Sequence, residues 1–413
     1  MQIDHSDTFY DIAIIGGGIA GAGIARDAAL RGLNVVLLEK SFFGSGTSGK
    51  SSKLIHGGIR YLELFWNELK HGRNSEAFKN LRFVFSSLKE TRILRKIAAD
   101  LVEPIPLIIP VYKHDPRKPI SIYLGVCLYG LLGLFSGNSH RPKLFFGKRS
   151  LLRALPGLRS EGLRGGAMIW DNRTDDVGLV SATVASAARN GVQCLENAEV
   201  TSFEYESIGK RYAVSARMPD GDTHRFFSKK LINASGPWVD KVRSLRGEKR
   251  DRYLSPIAGS HIEIQKFLPA SVILQAKDGR VFFVINHGDK ARIGTTEWHC
   301  PDPDDVRVPE SDIDYLLESL SHYFLAMKFT RQAVLSADAG VRPLSASSDA
   351  SNPNAIPREH EIRIDSEGVV HVIGVKLTDH RRAAEEVVDR LMPDLMRPGL
   401  KQRSVTAVTP LNI

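Results

Sequence analysis

Cysteine is scarce in this sequence. The 413 residues include only Cys127, Cys194 and Cys300, and no two of them form a CxxC pair. An odd number of widely spaced cysteines argues against a disulfide framework and against a structural zinc site. We therefore expect the chain to work in a reducing compartment, and we predict no metal site.

A secretory signal and an excess of acidic charge are also missing. The N-terminal stretch MQIDHSDTFYDIAII has no basic segment followed by an apolar core. Lys and Arg number 56 against 47 Asp and Glu, which gives a net charge of +9. A nucleic acid, an anionic membrane surface, an anionic substrate or simple solubility could each explain this excess. Nucleic acid is disfavoured, because the basic residues are dispersed and no recognised module accompanies them.

A glycine-rich turn near the N-terminus carries the first clear motif. The run YDIAIIGGGIAGAGIARDAALRGLNVVLLEK, residues 10–40, has the pattern of strand, glycine turn, helix, strand and acid. Gly16 permits a tight turn, Gly18 lets backbone approach a pyrophosphate, and Gly21 lets helix and strand pack closely. The helix N-terminus would bind the phosphates, and Glu39 would accept hydrogen bonds from a ribose diol. This pattern predicts a site for FAD or NAD, because the acid disfavours the 2′-phosphate of NADP.

The chain after Glu39 does not continue as a simple NAD-binding domain. The alternation of strands and helices breaks in a stretch rich in Gly, Ser and Thr, whose hydroxyls could contact an extended cofactor. Residues 197–228 read as a β-meander and 254–364 mostly as strands. The run KLINASGPWVD reads as a strand returning to the first sheet, which would bring Ala234 and Gly236 close to the glycine turn. A last strand near Val372 precedes a helix that we expect to begin at Lys376.

An uncharged apolar stretch covers residues 120–135. It is too short and too rich in glycine for a confident transmembrane helix. Basic residues flank it on both sides, which is typical of a segment at a membrane interface with anionic headgroups. The alternative is a helix buried inside the protein. The flanking residues are Lys113, Arg117, Lys118, Arg141, Lys143, Lys148 and Arg149.

Seven motifs occur in an order that resembles a known family. They are DIAIIGGGIAGAGIARDAALRGLNVVLLE, TSGKSSKLIHGGIRYLE, NASGPWV, GSHI, IGTTE, GVRPL and GVKLT. Over about residues 10–410, the chain resembles the FAD-dependent, quinone-linked aerobic glycerol-3-phosphate dehydrogenases. The resemblance implies oxidation of sn-glycerol 3-phosphate to dihydroxyacetone phosphate, with hydride passing from C2 to flavin N5 and electrons leaving to quinone. It also implies a cytoplasmic enzyme that is peripheral on the inner face of the membrane.

The resemblance implies a fold and a division into domains. We expect an α/β fold, α+β in the inserted region, with a discontinuous FAD-binding Rossmann-like domain of glutathione-reductase type. Residues 8–110, 150–240 and 335–400 are assigned to this domain. A mainly antiparallel substrate-binding cap takes residues 241–334 with part of 60–150, and residues 112–149 form the possible membrane-interface segment. The chain is expected to lack the C-terminal helical domain of the family.

The matching motifs also suggest site residues. Guanidinium groups bind phosphate with charge-assisted hydrogen bonds, so Arg342 and Arg358 are expected to hold the substrate phosphate, with Arg60 and Tyr61 lining the pocket. His261 is the candidate general base, a role that Arg342 or a water could share. For His261 the alternative is an ordinary core histidine, and for the arginines a solvated surface charge. The residues expected to contact FAD are Gly16, Gly18, Gly21, Glu39, Thr47, Ser48, Ser52, Gly57, Gly58, Ala234, Gly236, Gly374, Lys376, Leu377 and Thr378.

One motif departs from the family pattern. Where the family has GGKLTTYR, this chain has GVKLTDHR, so Val375 replaces a glycine and Asp379-His380 replace Thr-Tyr. Lys376 is retained, and it would stabilise the reduced flavin or reach the substrate phosphate. Two alternatives stay open: a flavin oxidase or dehydrogenase for another small anionic alcohol or hydroxy acid, and a flavin-binding protein without catalysis.

Overall fold

The computed structural model describes residues 9–58, 60–113, 115, 119–135, 140–247, 251–346 and 360–411. Arg60 is described by its backbone alone. Within these residues, the helices are α1 (Ile19–Leu30), α2 (Arg60–Lys70), α3 (Asn74–Ile97), α4 (Pro119–Phe135), α5 (Lys148–Ala154), α6 (Asp176–Arg189), α7 (Val239–Ser244), α8 (Glu310–Tyr323) and α9 (His380–Leu395).

The strands of the same residues range from two to 12 residues in length. In chain order they are β1 (Phe9–Ile15), β2 (Val35–Leu38), β3 (Leu54–Ile55), β4 (Val102–Tyr112), β5 (Lys143–Phe146), β6 (Leu163–Thr174), β7 (Gln193–Leu195), β8 (Glu199–Glu206), β9 (Arg211–Arg217), β10 (Thr223–Asn233), β11 (Leu254–Gln265), β12 (Ser271–Gln275), β13 (Val281–His287), β14 (Lys290–Gly294), β15 (Trp298–His299), β16 (Val334–Ser345), β17 (Glu361–Ile364) and β18 (Val370–Ile373).

The first sheet joins distant parts of the chain. Its strand order is β17-β18-β10-β1-β2-β7, with β9 paired to β10 and β8 to β9. Strands β18, β10, β1, β2 and β7 run parallel, as is usual for apolar strands buried on both faces. Leu37, Ile14, Ile232 and Val370 lie in register across four of these strands, and all four are buried. The N-terminal, middle and C-terminal segments therefore form one sheet, as the sequence predicts.

Helices α1, α6 and α9 cover one face of this sheet. Their apolar side chains share a core cluster with Ile14 and Leu37, including Ile24 of α1, Leu179 of α6 and Val387 of α9. On the other face, side chains of β1 and β2 share an apolar cluster with side chains of β8, β9 and β10. This burial on both sides holds the ends of the parallel strands rigidly in place.

The second sheet is mainly antiparallel. Its strand order is β15-β11-β14-β13-β12-β4-β6-β3, with β16 paired to β11 and β5 to β6. The long pairing of β11 with β16 and that of β4 with β6 are both antiparallel, whereas β12 and β4 run parallel. Helices α5 and α8 pack on this sheet through an apolar cluster that is separate from the core of the first sheet. The predicted α/β fold with an inserted antiparallel region is confirmed.

Some strands lie in a different sheet from the one that the predicted boundaries imply. The ranges 8–110, 150–240 and 335–400 place most of β4, all of β6 and most of β16 with the first sheet, but all three lie in the second. The reason is physical, because a strand buried on both faces has the same apolar pattern in either kind of sheet. The domain boundaries themselves stay a prediction.

Helix α4 lies over the second sheet with one face outward. Val126 and Tyr129 are buried in a cluster shared with α2, α3, β4 and β6. Ile120, Leu124 and Phe135 are 66%, 58% and 72% exposed, so the stretch is not the fully buried helix of the alternative reading. Among the described residues, no helix combines the length and the apolar character needed to cross a membrane.

The last helix begins later than the sequence suggests. Helix α9 starts at His380, not at Lys376. Gly374 has a φ of +72°, and the Thr378 hydroxyl bonds the backbone of His56, so residues 374–379 form a turn before the helix. This turn lies at the end of β18, beside the glycine-rich end of the first sheet.

Candidate cofactor and substrate cavity

A cavity of about 570 Å³ opens where the two sheets meet. It extends from the carboxyl ends of β1 and β2 to β11 and β16, and the carboxyl ends of parallel strands are the usual ligand site in such sheets. Many of the predicted site residues line it: Gly16, Gly18, Glu39, Thr47, Ser48, Ser52, Ala234, Gly236, His261, Arg342, Gly374, Lys376, Leu377 and Thr378.

The turn after β1 requires glycine at two positions. Gly16 has a φ of +105°, and a Cβ there would lie 2.6 Å from the Cα of Ser235. A Cβ on Gly21 would lie 1.9 Å from the carbonyl oxygen of Gly16, so α1 packs directly on the turn. The turn after β10, with Ala234, is thus pressed against the turn after β1. Gly21 acts by packing and does not line the cavity.

Gly18 has a different environment. Its φ of −75° is open to any residue, and the nearest atom to an added Cβ is the Ser48 hydroxyl at 3.1 Å. Gly18 begins α1 without a side-chain cap, and the first turn of α1 has no acidic residue. The Ser48 hydroxyl accepts a hydrogen bond from the Ile19 amide at 3.0 Å. A helix N-terminus without an acidic side chain, facing a cavity, fits a pyrophosphate, and a side chain at Gly18 would fill that space.

Glu39 is fixed at the end of β2. Its carboxylate accepts hydrogen bonds from the backbone amides of Gly17 at 2.7 Å and Ser41 at 2.9 Å. These bonds hold the carboxylate on the cavity wall beside the glycine turn, where a ribose diol would lie in a dinucleotide site. The donor set of this end of the cavity therefore fits a dinucleotide.

Arg342 reaches the far end of the cavity from β16. Its Nη1 donates to Glu297 Oε1 at 2.7 Å, and its Nη2 donates to Thr295 Oγ1 at 3.0 Å. These two bonds use two of the five N–H donors of a guanidinium group. The side chain is held in one orientation and is about one-third exposed, so it can bind an anion in the cavity.

His261 lies on β11 and is almost completely buried. Its Nε2 is 3.0 Å from the Ser52 hydroxyl, and its Nδ1 is buried without a hydrogen-bond partner among the described residues. Burial lowers the pKa of His261 well below its ordinary value, and the nearby cations Arg292, Arg342 and Lys53 lower it further. The imidazole is therefore neutral at neutral pH.

Lys376 points toward the aromatic side chains of α2 and α3. Its Nζ is 3.4 Å from the Tyr61 hydroxyl and lies 5.2 Å from the centre of the Tyr61 ring and 4.5 Å from that of Phe83. Tyr61 does not line the cavity itself, but it contacts Lys376, which does. The side chain of Arg60 and the whole of Arg358 lie outside the described residues.

The cavity wall also includes residues that the sequence motifs did not single out, among them His56, Lys40 and Trp238. His56 lines the cavity and is half-buried, while Gly57 and Gly58, which follow it, lie behind the wall. Lys40 and Trp238 also line it, and both donate to the Asp304 carboxylate, at 2.8 and 2.6 Å. His56 could have been found, because it is the only titratable side chain between Ile55 and Arg60 in the motif SSKLIHGGIRYLE. The contact of Lys40 with Asp304 has no local sequence signal.

Comparison with known proteins identifies similar chains. The sequence profile of the family described as FAD dependent oxidoreductase matches residues 11–388. The aerobic glycerol-3-phosphate dehydrogenase of Staphylococcus epidermidis is 34% identical over 405 residues, which cover 96% of this chain and 70% of that protein. Both similarities extend through the glycine turn, the cavity and the turn before α9.

Solved structures show the same architecture. The glycerol-3-phosphate dehydrogenase of Bacillus halodurans, complexed with FAD, superposes with a TM-score of 0.76 at 29% identity, covering 98% of this chain and 68% of that one. The L-alpha-glycerophosphate oxidase of Mycoplasma pneumoniae, with FAD bound, gives a TM-score of 0.68 at 18% identity, covering 96% and 98%. At that identity, the second likeness concerns the fold alone.

Proposed function

The chain belongs to the FAD-dependent oxidoreductases and, among them, to the family of aerobic glycerol-3-phosphate dehydrogenases, and we propose that it oxidises sn-glycerol 3-phosphate to dihydroxyacetone phosphate. FAD is the cofactor of this enzyme family, and its electrons are proposed to pass on to a membrane quinone. The observation that carries the proposal is the single cavity, which joins a dinucleotide-binding turn at one end to Arg342 and Lys376 at the other.

The cofactor end of the cavity is proposed to hold FAD in an extended form. Gly16, Gly18 and the N-terminus of α1 would hold the pyrophosphate, and Glu39 would hold the ribose. When bound, FAD supplies the acceptor for the hydrogen and electron pair at C2 of the alcohol. The remaining proposed contacts are Thr47, Ser48, Ser52, Ala234, Gly236, Gly374, Leu377 and Thr378, with Gly21, Gly57 and Gly58 supporting the wall from behind.

The substrate end is proposed to bind a small phosphorylated alcohol. The fixed Arg342 guanidinium would hold the phosphate, and Lys376 adds a second positive charge. Arg60, Tyr61 and Arg358 stay predicted partners in the same pocket. Keeping the phosphate at this end would orient C2 toward the cofactor, and such positioning would lower the barrier to the reaction.

A proton must leave the C2 hydroxyl during the oxidation, and His261 is the proposed acceptor. His261 is neutral at neutral pH and can therefore accept a proton. Its lowered pKa also makes it a weaker base than an ordinary histidine. His56, which is half-buried on the same wall, is the second imidazole in reach of the cavity. Its Nδ1 accepts a hydrogen bond from the Gly58 amide at 3.0 Å, which fixes the orientation of the ring.

The pH profile of turnover separates these two imidazoles. If His261 is the base, kcat should stay constant on acidification until well below a pH of about 6.5, the ordinary histidine pKa, because its own pKa is lowered. His261→Asn should then lower kcat by about 100-fold, whereas His56→Asn should lower it by only about 10-fold. A kcat that already falls at or above the ordinary histidine pKa, and that keeps its shape in His261→Asn, contradicts the assignment.

Val375 is expected to narrow the cavity beside the cofactor. Val375 lines the wall between Gly374 and Lys376, where the family pattern has glycine, and its side chain is partly buried against the core of the first sheet. Val375→Gly should raise kcat/KM for glycerol 3-phosphate by about 10-fold, the effect of a few methyl groups in a tight pocket. The kcat/KM of Val375→Ala should lie between the values of the wild-type protein and Val375→Gly. Unchanged rate and substrate range in Val375→Gly would show that the valine does not limit the site.

Helix α4 and the segment after it are proposed to bind an anionic membrane surface. Pro119–Phe135 contains no charged residue, and its outer face exposes Ile120, Leu124 and Phe135. The basic side chains of Arg141, Lys143, Lys148 and Arg149 follow it and are exposed. An apolar face beside exposed cations complements a bilayer with anionic headgroups. Such a contact would place the enzyme on the cytoplasmic face of the membrane, close to its quinone.

Binding to vesicles tests the membrane contact. The FAD-loaded protein should sediment with vesicles rich in anionic lipid at low salt. The double change Arg141→Gln and Lys143→Gln should weaken binding about 30-fold, because each basic side chain near such a surface contributes about 1 kcal/mol. The double change Lys277→Gln and Arg307→Gln removes the same charge from exposed positions elsewhere and should have little effect. Protein that stays in the supernatant under these conditions contradicts the contact.

Steady-state turnover tests the reaction and its acceptor together. Glycerol 3-phosphate should support fast reduction of a soluble quinone analogue and slow consumption of oxygen. A preference for oxygen would make the protein an oxidase. Turnover of a different anionic alcohol or hydroxy acid, without any turnover of glycerol 3-phosphate, would exclude the proposed substrate.

A further inference from the structure

A buried pair of polar side chains lies behind the cavity wall. Tyr129 of α4 donates its hydroxyl hydrogen to Asp171 Oδ1 of β6 at 2.7 Å. The same hydroxyl oxygen accepts a hydrogen bond from the Gly57 amide at 3.0 Å, and that amide is 3.3 Å from Asp171 Oδ1. Tyr129 and Asp171 are each 3% exposed. Nothing in the proposed chemistry uses either side chain.

The pair holds the loop that carries His56. The His56 amide donates to Thr378 Oγ1, the Gly57 amide to Tyr129 and Asp171, and the Gly58 amide to His56 Nδ1. Each of the three amides is therefore fixed. The bond from the Gly58 amide orients the imidazole, and that amide belongs to the peptide group that joins Gly57 to Gly58. Holding Gly57 in place therefore also holds the donor that orients the His56 ring.

The loop has no room to move toward the pair. A Cβ on Gly57 would lie 2.7 Å from the Tyr129 hydroxyl and 2.6 Å from side-chain atoms of Leu88. The backbone of Gly57 therefore rests directly on Tyr129 and on helix α3. Loss of the hydroxyl would remove this support and leave only the longer contact with Asp171.

Stability alone does not account for this pair, because replacing both partners of a buried hydrogen bond by apolar groups of the same shape can be neutral or stabilising. Among the described residues, the two donors to Asp171 are neutral, and burial raises its pKa to about 7. A buried carboxyl without a charged partner is costly compared with a well-packed apolar group of the same size. Features that oppose stability in this way are expected where a functional site depends on them.

We propose that Tyr129 and Asp171 are positioning residues, which fix the Gly57 amide and so aim the His56 imidazole into the cavity. Because Tyr129 lies on α4, the pair also connects the proposed membrane-facing helix to the cavity wall. The catalytic part of this inference rests on the proposed function, whereas the fixing of the loop does not.

Two phenylalanine variants on the same helix test the role of Tyr129. In the FAD-loaded full chain, Tyr129→Phe should lower kcat about 10-fold, the equivalent of one hydrogen bond, with KM changed less than about 2-fold. Hydrogen exchange at the Gly57 amide should become about 10-fold faster, while exchange in α1 and β1 stays unchanged. The control is Tyr123→Phe, which removes the hydroxyl that donates to the Phe145 carbonyl. It should change neither kcat nor the exchange rate of the Gly57 amide. Unchanged kcat and Gly57 exchange in Tyr129→Phe, or faster exchange throughout the protein, would overturn the proposal.

The role of Asp171 is tested by rescue. Asp171→Asn keeps an oxygen that accepts from Tyr129 and Gly57, so it should retain most of the wild-type kcat. Asp171→Leu should lose kcat as Tyr129→Phe does. Equal losses of kcat in Asp171→Asn and Asp171→Leu would contradict the positioning role. If wild-type protein does not oxidise glycerol 3-phosphate, the proposed function fails, and exchange at Gly57 in the same variants still decides whether the pair fixes the loop.

Discussion

Replacing Arg342 by methionine is expected to lower kcat/KM for glycerol 3-phosphate by roughly 100- to 1,000-fold. Two charge-assisted hydrogen bonds to the phosphate, at about 1.5–2 kcal/mol each, account for this loss. Arg342→Lys keeps the charge but not the planar fork, so it should recover only part of the activity. The measurement is initial rate against substrate concentration with a quinone analogue as acceptor.

A second arginine provides the matched control for Arg342. Arg211 of β9 pairs with Glu206, and the two side chains are 36% and 28% exposed, close to the 31% and 25% of Arg342 and Glu297. Arg211 does not line the cavity. Arg211→Met should therefore leave kcat/KM near the wild-type value. An equal loss in both variants would mean that the effect of Arg342→Met comes from the fold and not from phosphate binding.

Gly18→Ala is expected to weaken FAD binding by about 10- to 100-fold, which corresponds to an overpacking cost of about 1–3 kcal/mol. The added methyl group would occupy the space between the N-terminus of α1 and the cavity, where the pyrophosphate is expected. The folded chain should tolerate the change, because Gly18 has a negative φ and its nearest neighbour is the Ser48 hydroxyl. Gly16 would be a poor choice, since its positive φ and its contact with Ser235 would strain the fold itself.

Gly125 supplies the control for the Gly18 variant. It lies within α4, and an added Cβ would meet no atom within 4 Å. Gly125→Ala should leave FAD affinity unchanged and increase the stability of the helix by up to about 1 kcal/mol. Affinity is measured by titrating apoprotein with FAD. Wild-type affinity in Gly18→Ala would exclude the pyrophosphate from this turn.

The sequence alone is enough to predict the part of the site that local geometry determines. Gly16 and Gly21 must be glycine because backbone atoms lie within 3 Å of where a Cβ would be. Glu39 follows from its place at the end of β2. The return of β10 beside β1 was also predictable, because an apolar strand followed by small residues fits a parallel sheet. Each of these features depends on a short segment, in which local backbone geometry and burial restrict the residue types.

Contacts between distant segments could not be predicted in the same way. The hydrogen bond from the Gly57 amide to Tyr129 and that from Lys40 to Asp304 join groups that are far apart in the sequence, and no periodic pattern encodes such a pair. The place of β6 in the second sheet could not be predicted for the same reason, because the sequence of a strand does not specify the strand with which it pairs. Helix α9 begins at His380 because the Thr378 hydroxyl bonds the His56 loop, which is a tertiary contact.

Anaerobic mixing of the FAD-loaded protein with glycerol 3-phosphate tests the central claim most directly. The visible absorbance of the oxidised flavin should fall with saturating dependence on glycerol 3-phosphate, and deuterium at C2 should slow the fall. Glycerol, which lacks the phosphate that Arg342 is proposed to hold, should act far more weakly. An unchanged spectrum with glycerol 3-phosphate at every concentration, under conditions where dithionite reduces the same flavin, would contradict the account.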